Sequence, residues 1–183
     1  MTLTFIISFA IFALTAWIFF SIVFWSFRNG ISPMPTSSKA KKCLMDALPK
    51  DAPGPIFELG SGWGSLAFPL AKRFPKSNVT CYETSLIPFL FSKLKHYFDP
   101  LPNLKIIRQD FFQVPLPKES LVICYLYPGA MRRLKLKFEA ELSPKALIVS
   151  NTFAVPGWRP ISTVKVPDLY STNIYLYKII KDK

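Results

Sequence analysis

Hydrophobic residues form one long uninterrupted run near the start of the chain. Residues 3–27 read LTFIISFAIFALTAWIFFSIVFWSF, without a charge, a glycine or a proline. At 1.5 Å per helical residue, such a run reaches roughly 37 Å, enough to cross a hydrocarbon core of about 30 Å. A cleaved signal peptide would have basic residues before the run and small residues at its end, whereas Phe24, Trp25 and Phe27 are bulky. The pattern predicts an uncleaved transmembrane helix.

After this run, short apolar stretches alternate with helical patterns. A glycine- and proline-punctuated linker, 29–35, precedes a helix that begins within Thr36–Ser38 and ends near Leu48. Strands are predicted at 56–59, 78–82, 104–108, 121–126, 146–150, 161–166 and 174–180, and further helices at 65–74, 86–98 and 130–142. This alternation indicates an α/β fold with a mainly parallel seven-stranded sheet, closed by an antiparallel C-terminal edge hairpin. The predicted organisation is an anchor (1–28), the linker, and one domain (36–183).

Positive charge follows the apolar run and does not precede it. The chain has 23 Lys and Arg residues against 11 Asp and Glu, a formal net charge of +12. The positive-inside rule therefore predicts a single-pass membrane protein with its domain on the cytosolic side. Because no Arg-rich transit segment is visible, a bacterial inner membrane is favoured, with a mitochondrial membrane as the alternative.

The same charge excess predicts an anionic membrane surface as a partner, since a tethered basic domain gains from each Lys or Arg near such a surface. No arginine-rich arm or recognition-helix signature indicates nucleic acid, so no nucleic-acid partner is expected. The three cysteines have no metal-ligand spacing, and no metal site is expected.

Glycine is concentrated in one turn. The stretch from Ile56 to Ala67, IFELGSGWGSLA, holds Gly60, Gly62 and Gly64 between a predicted strand and a predicted helix. Such a turn faces the ligand crevice of an α/β sheet and lets the backbone approach a ligand closely, which predicts a nucleotide-like cofactor. A Walker A loop is excluded because no lysine ends the turn, whereas a dinucleotide fingerprint that begins at Gly62 stays open.

Acidic residues stand at two strand ends beside this turn. Glu83 follows the turn by about 20 residues, where a carboxylate accepts hydrogen bonds from both ribose hydroxyls of a nucleotide. Glu58 and the three glycines form E-x-G-x-G-x-G, which resembles motif I of the class I S-adenosylmethionine-dependent methyltransferases. The resemblance implies a Rossmann-like fold, S-adenosylmethionine as cofactor, cofactor contacts from Ser61 and Trp63 within the motif, and an adenine contact from Asp110. For Glu83 and Asp110, the alternative is a solvent-exposed residue at a strand end with no role in cofactor binding.

Further stretches narrow the resemblance. They are Pro35-Thr36, LGSGWG, QDFF, the strand end Leu126–Pro128, and FAVPGWRP at Phe153–Pro160, whose P-x-W-x-P is the most discriminating. Together they resemble the membrane-associated protein lysine methyltransferases, over about residues 33–180. In eukaryotes that family modifies the ATP synthase c subunit and the adenine nucleotide translocase. The resemblance implies a membrane-protein substrate that presents a lysine.

The family also implies where the methyl acceptor lies, at the end of the fourth strand. Tyr127 is the first candidate for positioning a lysine and Tyr125 the second, with Pro128 and Trp158 as substrate contacts. Packing in the core is the alternative for these aromatic residues. The Asn/Asp-Pro-Pro-Tyr motif of amide and nucleobase methyltransferases is absent, which disfavours those acceptors.

Two residues depart from the family pattern. Glu58 stands where an aspartate is usual, which keeps the charge, and Trp63 stands where another aspartate is usual, which removes a carboxylate from the cofactor turn. Two other functions therefore stay open. One is methylation of a lipid or quinone headgroup, and the other is a membrane-bound scaffold that has the fold without the activity.

Overall fold

A seven-stranded mixed sheet is the centre of the structure, a computed structural model that describes residues 3–30 and 32–179. The strands are β1 (Ile56–Leu59), β2 (Val79–Tyr82), β3 (Leu104–Ile107), β4 (Leu121–Cys124), β5 (Leu147–Asn151), β6 (Ser162–Lys165) and β7 (Asn173–Lys178). Their order is β3-β2-β1-β4-β5-β7-β6. The first five strands are parallel, and β7 pairs antiparallel with β5 and β6. The predicted parallel sheet with an antiparallel edge hairpin is confirmed.

The helices are α1 (Leu3–Asn29), α2 (Ser38–Ala47), α3 (Ala67–Arg73), α4 (Leu86–Phe98) and α5 (Pro128–Glu141). Helix α5 begins earlier than the sequence pattern predicted, because Pro128 occupies its first turn. A proline fits there, since N–H groups in the first turn have no acceptor within the helix. A short 3-10 turn, Phe111–Gln113, was not predicted. It forms because the Asp110 carboxylate accepts a hydrogen bond from the Phe112 amide at 2.9 Å.

Two hydrophobic layers cover the faces of the sheet. Alternate strand residues face opposite layers, so Leu121 and Ile123 of β4 meet the side of α2 and α3, whereas Val122 and Cys124 meet α5. All residues of β1 and β4 are buried, as expected of central parallel strands. The polar groups that follow these strands are thereby held at one edge of the sheet.

Helix α1 is exposed in its first half and partly covered in its second. The side chains from Leu3 to Thr15 are exposed, and the first partly covered position is Ala16. The second half leads into the domain, where α1 contacts α4. Within the described residues, α1 is one helix with the length and apolar composition needed to cross a membrane.

The stretch 153–160 is held between α5 and β7. Tyr177 of β7 is fully buried, and its hydroxyl accepts a hydrogen bond from the backbone N–H of Val155 at 3.1 Å. The Trp158 ring lies 5.9 Å from the Tyr177 ring, and its Nε1 donates to Glu139 of α5 at 3.1 Å. This stretch therefore fastens α5 to the antiparallel edge of the sheet.

Replacing Tyr177 with Phe should lower the free energy of unfolding by about 1–3 kcal/mol, because the buried Val155 N–H loses its acceptor. Thermal unfolding of the full chain in detergent measures the change. Tyr175→Phe is the matched control, because the Tyr175 hydroxyl bonds only the half-buried Asn173 side chain at 3.3 Å. An equal loss in both variants would contradict the role given to the Val155 contact.

Candidate functional site

A cavity of about 540 Å³ lies at the carboxyl ends of β1 to β4. Eight residues predicted from the sequence line it, namely Glu58, Gly60, Ser61, Gly62, Glu83, Asp110, Tyr125 and Tyr127. Cofactor candidates from three strand ends and acceptor candidates from a fourth thus share one space. This is the crevice that an open parallel sheet offers to ligands.

The glycine turn forms one wall of the cavity. Gly60, Gly62 and Gly64 all have positive φ, at +76°, +53° and +72°. A Cβ at Gly60 would lie 2.8 Å from Leu126 and one at Gly64 would lie 3.0 Å from Ser92, so both positions exclude a side chain. At Gly62 no described atom lies within 4 Å of such a Cβ, so the backbone there faces open space. A ligand can lie directly against Gly62.

Glu83 fixes the shape of this turn. One carboxylate oxygen accepts a hydrogen bond from the Gly62 N–H at 2.7 Å, and the other accepts one from the Ser85 N–H, also at 2.7 Å. Hydrogen bonds of this length to an ionised carboxylate are of the strong kind. Each oxygen keeps acceptor capacity, so Glu83 can hold the turn and bind two hydroxyl groups of a ligand at once.

Ser61 has a buried hydroxyl that finds no hydrogen-bond partner among the described residues. A buried polar group without a partner costs about 1–3 kcal/mol, and such groups are rare in folded proteins. Ser61 lies in the glycine turn and lines the cavity, so a polar atom of a bound ligand could form the missing hydrogen bond to its hydroxyl.

Glu58 lies at the inner end of the cavity and is buried. Burial raises the pKa of its carboxyl to about 8, an effect opposed by a hydrogen bond from Cys81 and reinforced by the charge of Glu83. The Cys81 thiol donates to the Glu58 carboxyl oxygen at 3.3 Å, across the pair of strands that places the two residues side by side. Glu58 therefore keeps its proton at neutral pH in the cavity without a ligand.

The end of helix α1 forms another wall of the cavity, which sequence reasoning missed. Asn29 donates to the Ser85 hydroxyl at 3.0 Å and accepts from the Thr84 hydroxyl at 3.2 Å. The Trp25 ring lies 5.5 Å from the guanidinium carbon of Arg108. The sequence signal for this wall was Trp25, Arg28 and Asn29, which stand at the end of the apolar run. Sequence reasoning assigned them to the anchor and the linker alone.

Both tyrosines predicted for the acceptor side line the cavity and are half-buried. The Tyr127 ring packs between two glycines, Gly30 after α1 and Gly129 in α5, where a Cβ would approach the ring within 3 Å. The Tyr125 ring stacks on Phe153, with 6.3 Å between ring centroids. Small residues therefore leave room for the Tyr127 ring at the junction of α1 and the domain.

Two predicted tryptophans pack into the protein rather than line the cavity. The Trp63 Nε1 donates to the Pro33 carbonyl, and its ring meets Phe91 of α4 edge-on at 5.4 Å. Trp158 contacts α5 and β7, as described above, and Pro128 and Gly64 likewise lie outside the lining of the cavity. The indole of Trp63 is thus turned towards the linker, away from the ligand face of the turn.

A family model described as the ANTKMT methyltransferase domain matches residues 58–162, more than half of the 183-residue chain. The chain belongs to this family. The match begins at Glu58 and covers the strand ends around the cavity, while α1 and α2 lie outside it. Membership of this methyltransferase family confirms the predicted class, an enzyme with S-adenosylmethionine as its cofactor.

Two curated relatives and one solved structure agree with this assignment. A protein-lysine N-methyltransferase of Saccharolobus islandicus is 25% identical over 82% of this chain and 94% of its own. The mouse adenine nucleotide translocase lysine N-methyltransferase is 26% identical over 64% of this chain and 52% of its own. An RNA methyltransferase from Salinibacter ruber, solved with S-adenosyl-L-homocysteine, superposes with a TM-score of 0.72 at 21% identity, covering 82% of this chain and 96% of its own, which shows the shared fold.

The residues of this methyltransferase domain fit S-adenosylmethionine on three counts. Glu83 retains acceptors for two ribose hydroxyls, the backbone at Gly62 is open, and the Ser61 hydroxyl lacks a partner among the described residues. Asp110, which lines the same cavity, is the residue expected at the adenine edge. These four residues are the ones that would hold the cofactor.

Glu83→Gln should weaken S-adenosylmethionine binding by about 10- to 100-fold, because the amide replaces one carboxylate oxygen with an NH2 donor and leaves one of the two backbone N–H groups without an acceptor. Isothermal titration calorimetry on the full chain in detergent measures the dissociation constant. Glu119→Gln is the control, because Glu119 is paired on the surface with Lys145. Unchanged affinity in Glu83→Gln would show that the carboxylate does not organise the cofactor turn.

Stability should depend on pH through Glu58. Between the ordinary glutamate pKa of 4.5 and the raised value of about 8, the folded chain keeps a proton that the unfolded chain has lost. The free energy of unfolding therefore falls as pH rises through that window, by up to about 1.4 kcal/mol per pH unit, and levels off above it. Thermal unfolding of the cofactor-free chain across this range measures the slope.

Glu58→Gln is the comparison for this pH dependence, because the amide cannot lose a proton but still accepts the Cys81 hydrogen bond. As pH rises, the free energy of unfolding of the wild type should fall relative to that of the variant. A constant difference would mean that Glu58 is already ionised in the folded protein.

Proposed function

We propose that the chain is a membrane-anchored protein-lysine N-methyltransferase that acts on a membrane protein. Helix α1 would cross the membrane once, with the methyltransferase domain on the cytosolic side, where the basic residues that follow α1 also belong. A bacterial inner membrane is the favoured location, and a mitochondrial membrane is the alternative. The two curated relatives described above support the lysine acceptor, because both are named as lysine methyltransferases.

The observation that carries the proposal is the shared wall between α1 and the cavity. Trp25, Arg28 and Asn29, from the last turns of α1, line the same space as Glu83 and Tyr127. A helix that ends at the membrane surface thereby brings the cavity to that surface. Tethering raises the effective concentration of an acceptor that is itself embedded in the bilayer.

The reaction needs no covalent intermediate with the protein. Bound S-adenosylmethionine supplies a methyl group on a positively charged sulfur, and the lysine nitrogen gains the methyl carbon as the carbon–sulfur bond breaks. The chain must hold the amine in line and exclude water. The amine must also be neutral, and a half-buried pocket favours the loss of its proton to solvent.

Tyr127 and Tyr125 are the proposed positioning groups for the amine. Both line the cavity at the end of β4, and the rings are held by packing, so each hydroxyl is confined to a small region. A phenol oxygen can accept a hydrogen bond from the neutral amine and so orient its lone pair. Pro128 fixes the start of α5 directly after Tyr127.

A second candidate function is methylation of a lipid or quinone headgroup. Three arginines, Arg28, Arg108 and Arg133, line the cavity, and within the described chain no carboxylate lies within ion-pair distance of them. Their guanidinium groups lie over Trp25 and Phe112 instead. Arginines without a carboxylate partner among the described residues suit the phosphate of a headgroup, so this observation favours an anionic lipid as the alternative acceptor.

Incubation of the full chain with native membranes and radiolabelled S-adenosylmethionine tests the proposal. We expect label in a protein band, and methylated lysine after hydrolysis of that band. Tyr127→Phe should lower the rate of labelling while leaving cofactor affinity near the wild-type value, because the hydroxyl serves the acceptor.

Glu83→Ala should abolish labelling, and the surface variant Glu119→Ala should retain it. Label confined to the extracted lipid would overturn the lysine acceptor in favour of the headgroup. Label in protein on residues other than lysine would overturn both candidate acceptors.

A further inference from the structure

The outer face of α4 is apolar and exposed. Leu90, Phe91, Leu94, Tyr97 and Phe98 are 47%, 50%, 57%, 78% and 76% exposed. Large apolar side chains are common singly on protein surfaces, but a contiguous group of them marks an interaction site. This helix of 13 residues carries five.

These five residues form one stripe. At about 100° per residue, they fall within an arc of roughly 120°, at spacings of one, four, seven and eight from the first. Pro88 and Ser92, on the opposite side of the helix, are buried against the domain. Helix α4 therefore has an inner face that packs on the domain and an outer apolar face that is about half or more exposed, with Phe91 at its edge in contact with Trp63.

Lysines border this stripe on both sides. Lys93 and Lys95 are exposed and fall just outside the two edges of the arc, and the helix sequence LIPFLFSKLKHYF contains no acid. The Lys95 ammonium lies 4.3 Å from the Phe68 ring, so its charge stays at the flank of the helix. An apolar stripe edged by lysines is the pattern of a helix that lies in a membrane interface, where the amines reach anionic headgroups.

The position of α1 places α4 at the depth that such a helix needs. About 20 residues cross a hydrocarbon core. Helix α1 has 27 residues, so its last turns reach into the headgroup layer. That end of α1 contacts α4, and Asn29 bonds the Ser85 side chain directly before α4. The start of α4 is thereby held beside the end of α1.

We propose that the outer face of α4 lies in the headgroup layer of the membrane that α1 crosses, with an anionic bilayer surface as its partner. The inference rests on the proposed anchor and adds a second, peripheral contact. It also explains why the face is apolar rather than polar, since lipid covers it. A second copy of the chain is disfavoured because like-charged lysines would meet across the interface.

This contact would orient the active site. Helix α4 touches the cofactor turn directly, because the Ser92 hydroxyl donates to the Gly62 carbonyl at 3.0 Å and Phe91 packs on Trp63. With α1 as one attachment and α4 as the other, the domain cannot rotate freely about the anchor. The cavity would then face acceptors at the level of the headgroups.

Site-directed spin labelling of the full chain in liposomes of phosphatidylcholine and phosphatidylglycerol tests the inference. Labels are placed at Leu94→Cys and Tyr97→Cys in a Cys43→Ser background, because Cys81 and Cys124 are buried. Phe12→Cys on α1 reports the anchor, and Leu136→Cys is the matched control, an exposed leucine on α5 in the opposite layer. Circular dichroism verifies that each labelled chain is folded.

Accessibility to oxygen relative to a water-soluble nickel chelate is then measured at each label. We expect the ratio at Leu94 and Tyr97 to be several-fold above that at Leu136, and the ratio at Phe12 to be the highest. Lipid-like values at Phe12 together with water-like values at both α4 labels would overturn the inference and leave the anchor intact. A water-like value at Phe12 would instead overturn the anchor itself.

Two further outcomes concern other occupants of the face. Spin–spin broadening at Leu94 that disappears on dilution with unlabelled chain would show a second copy and overturn the lipid assignment. Low accessibility to both oxygen and the nickel chelate at the two α4 labels would show that protein covers the face and would overturn it as well.

Discussion

The carboxylate of Glu83 is the contact on which the site depends. It accepts one backbone N–H from the glycine turn and one from the residue before α4, so a single side chain joins the first and second strand ends of the sheet. Both bonds are short, at 2.7 Å, and bring the two backbone segments to one side chain. The hydrogen bond from the Gly62 N–H to Glu83 fixes the conformation of the turn. The turn therefore lines the cavity without filling it.

A second set of contacts extends this arrangement to helix α1. Ser85 receives a hydrogen bond from Asn29 through its side chain and donates one to Glu83 through its backbone. The last turn of α1 is therefore two hydrogen bonds away from the group that would bind the ribose. Gly30 and Tyr127 add a packed contact on the acceptor side. Helix α1, the glycine turn and Tyr127 form one contiguous structure, so in the proposed function the position of α1 bears on both the cofactor side and the acceptor side of the reaction.

The sequence predicted the sheet and much of the cavity, because both depend on local patterns. Apolar runs separated by turns specified the strands, and Gly62 and Glu83 were found because their roles follow from spacing along one βαβ unit. Trp63 was expected at the cofactor and Trp158 at the substrate because the family resemblance implied it. Side-chain direction, however, depends on neighbours distant in sequence, Pro33 for one and Glu139 for the other. The contribution of Asn29 was missed for the same reason, since its partners lie on another strand end.

The outer stripe of α4 follows helical periodicity, but only the fold shows that this face of the helix is exposed. The helix is apolar on more than one side, which by sequence alone is typical of a buried helix. The fold leaves one of those sides largely exposed, and in the proposed arrangement, with α1 in the membrane, the bilayer covers it. The same stripe would be an aggregation liability on a protein free in solution. Its retention next to a helix able to span a membrane is accounted for if lipid, rather than water, is the solvent that α4 meets.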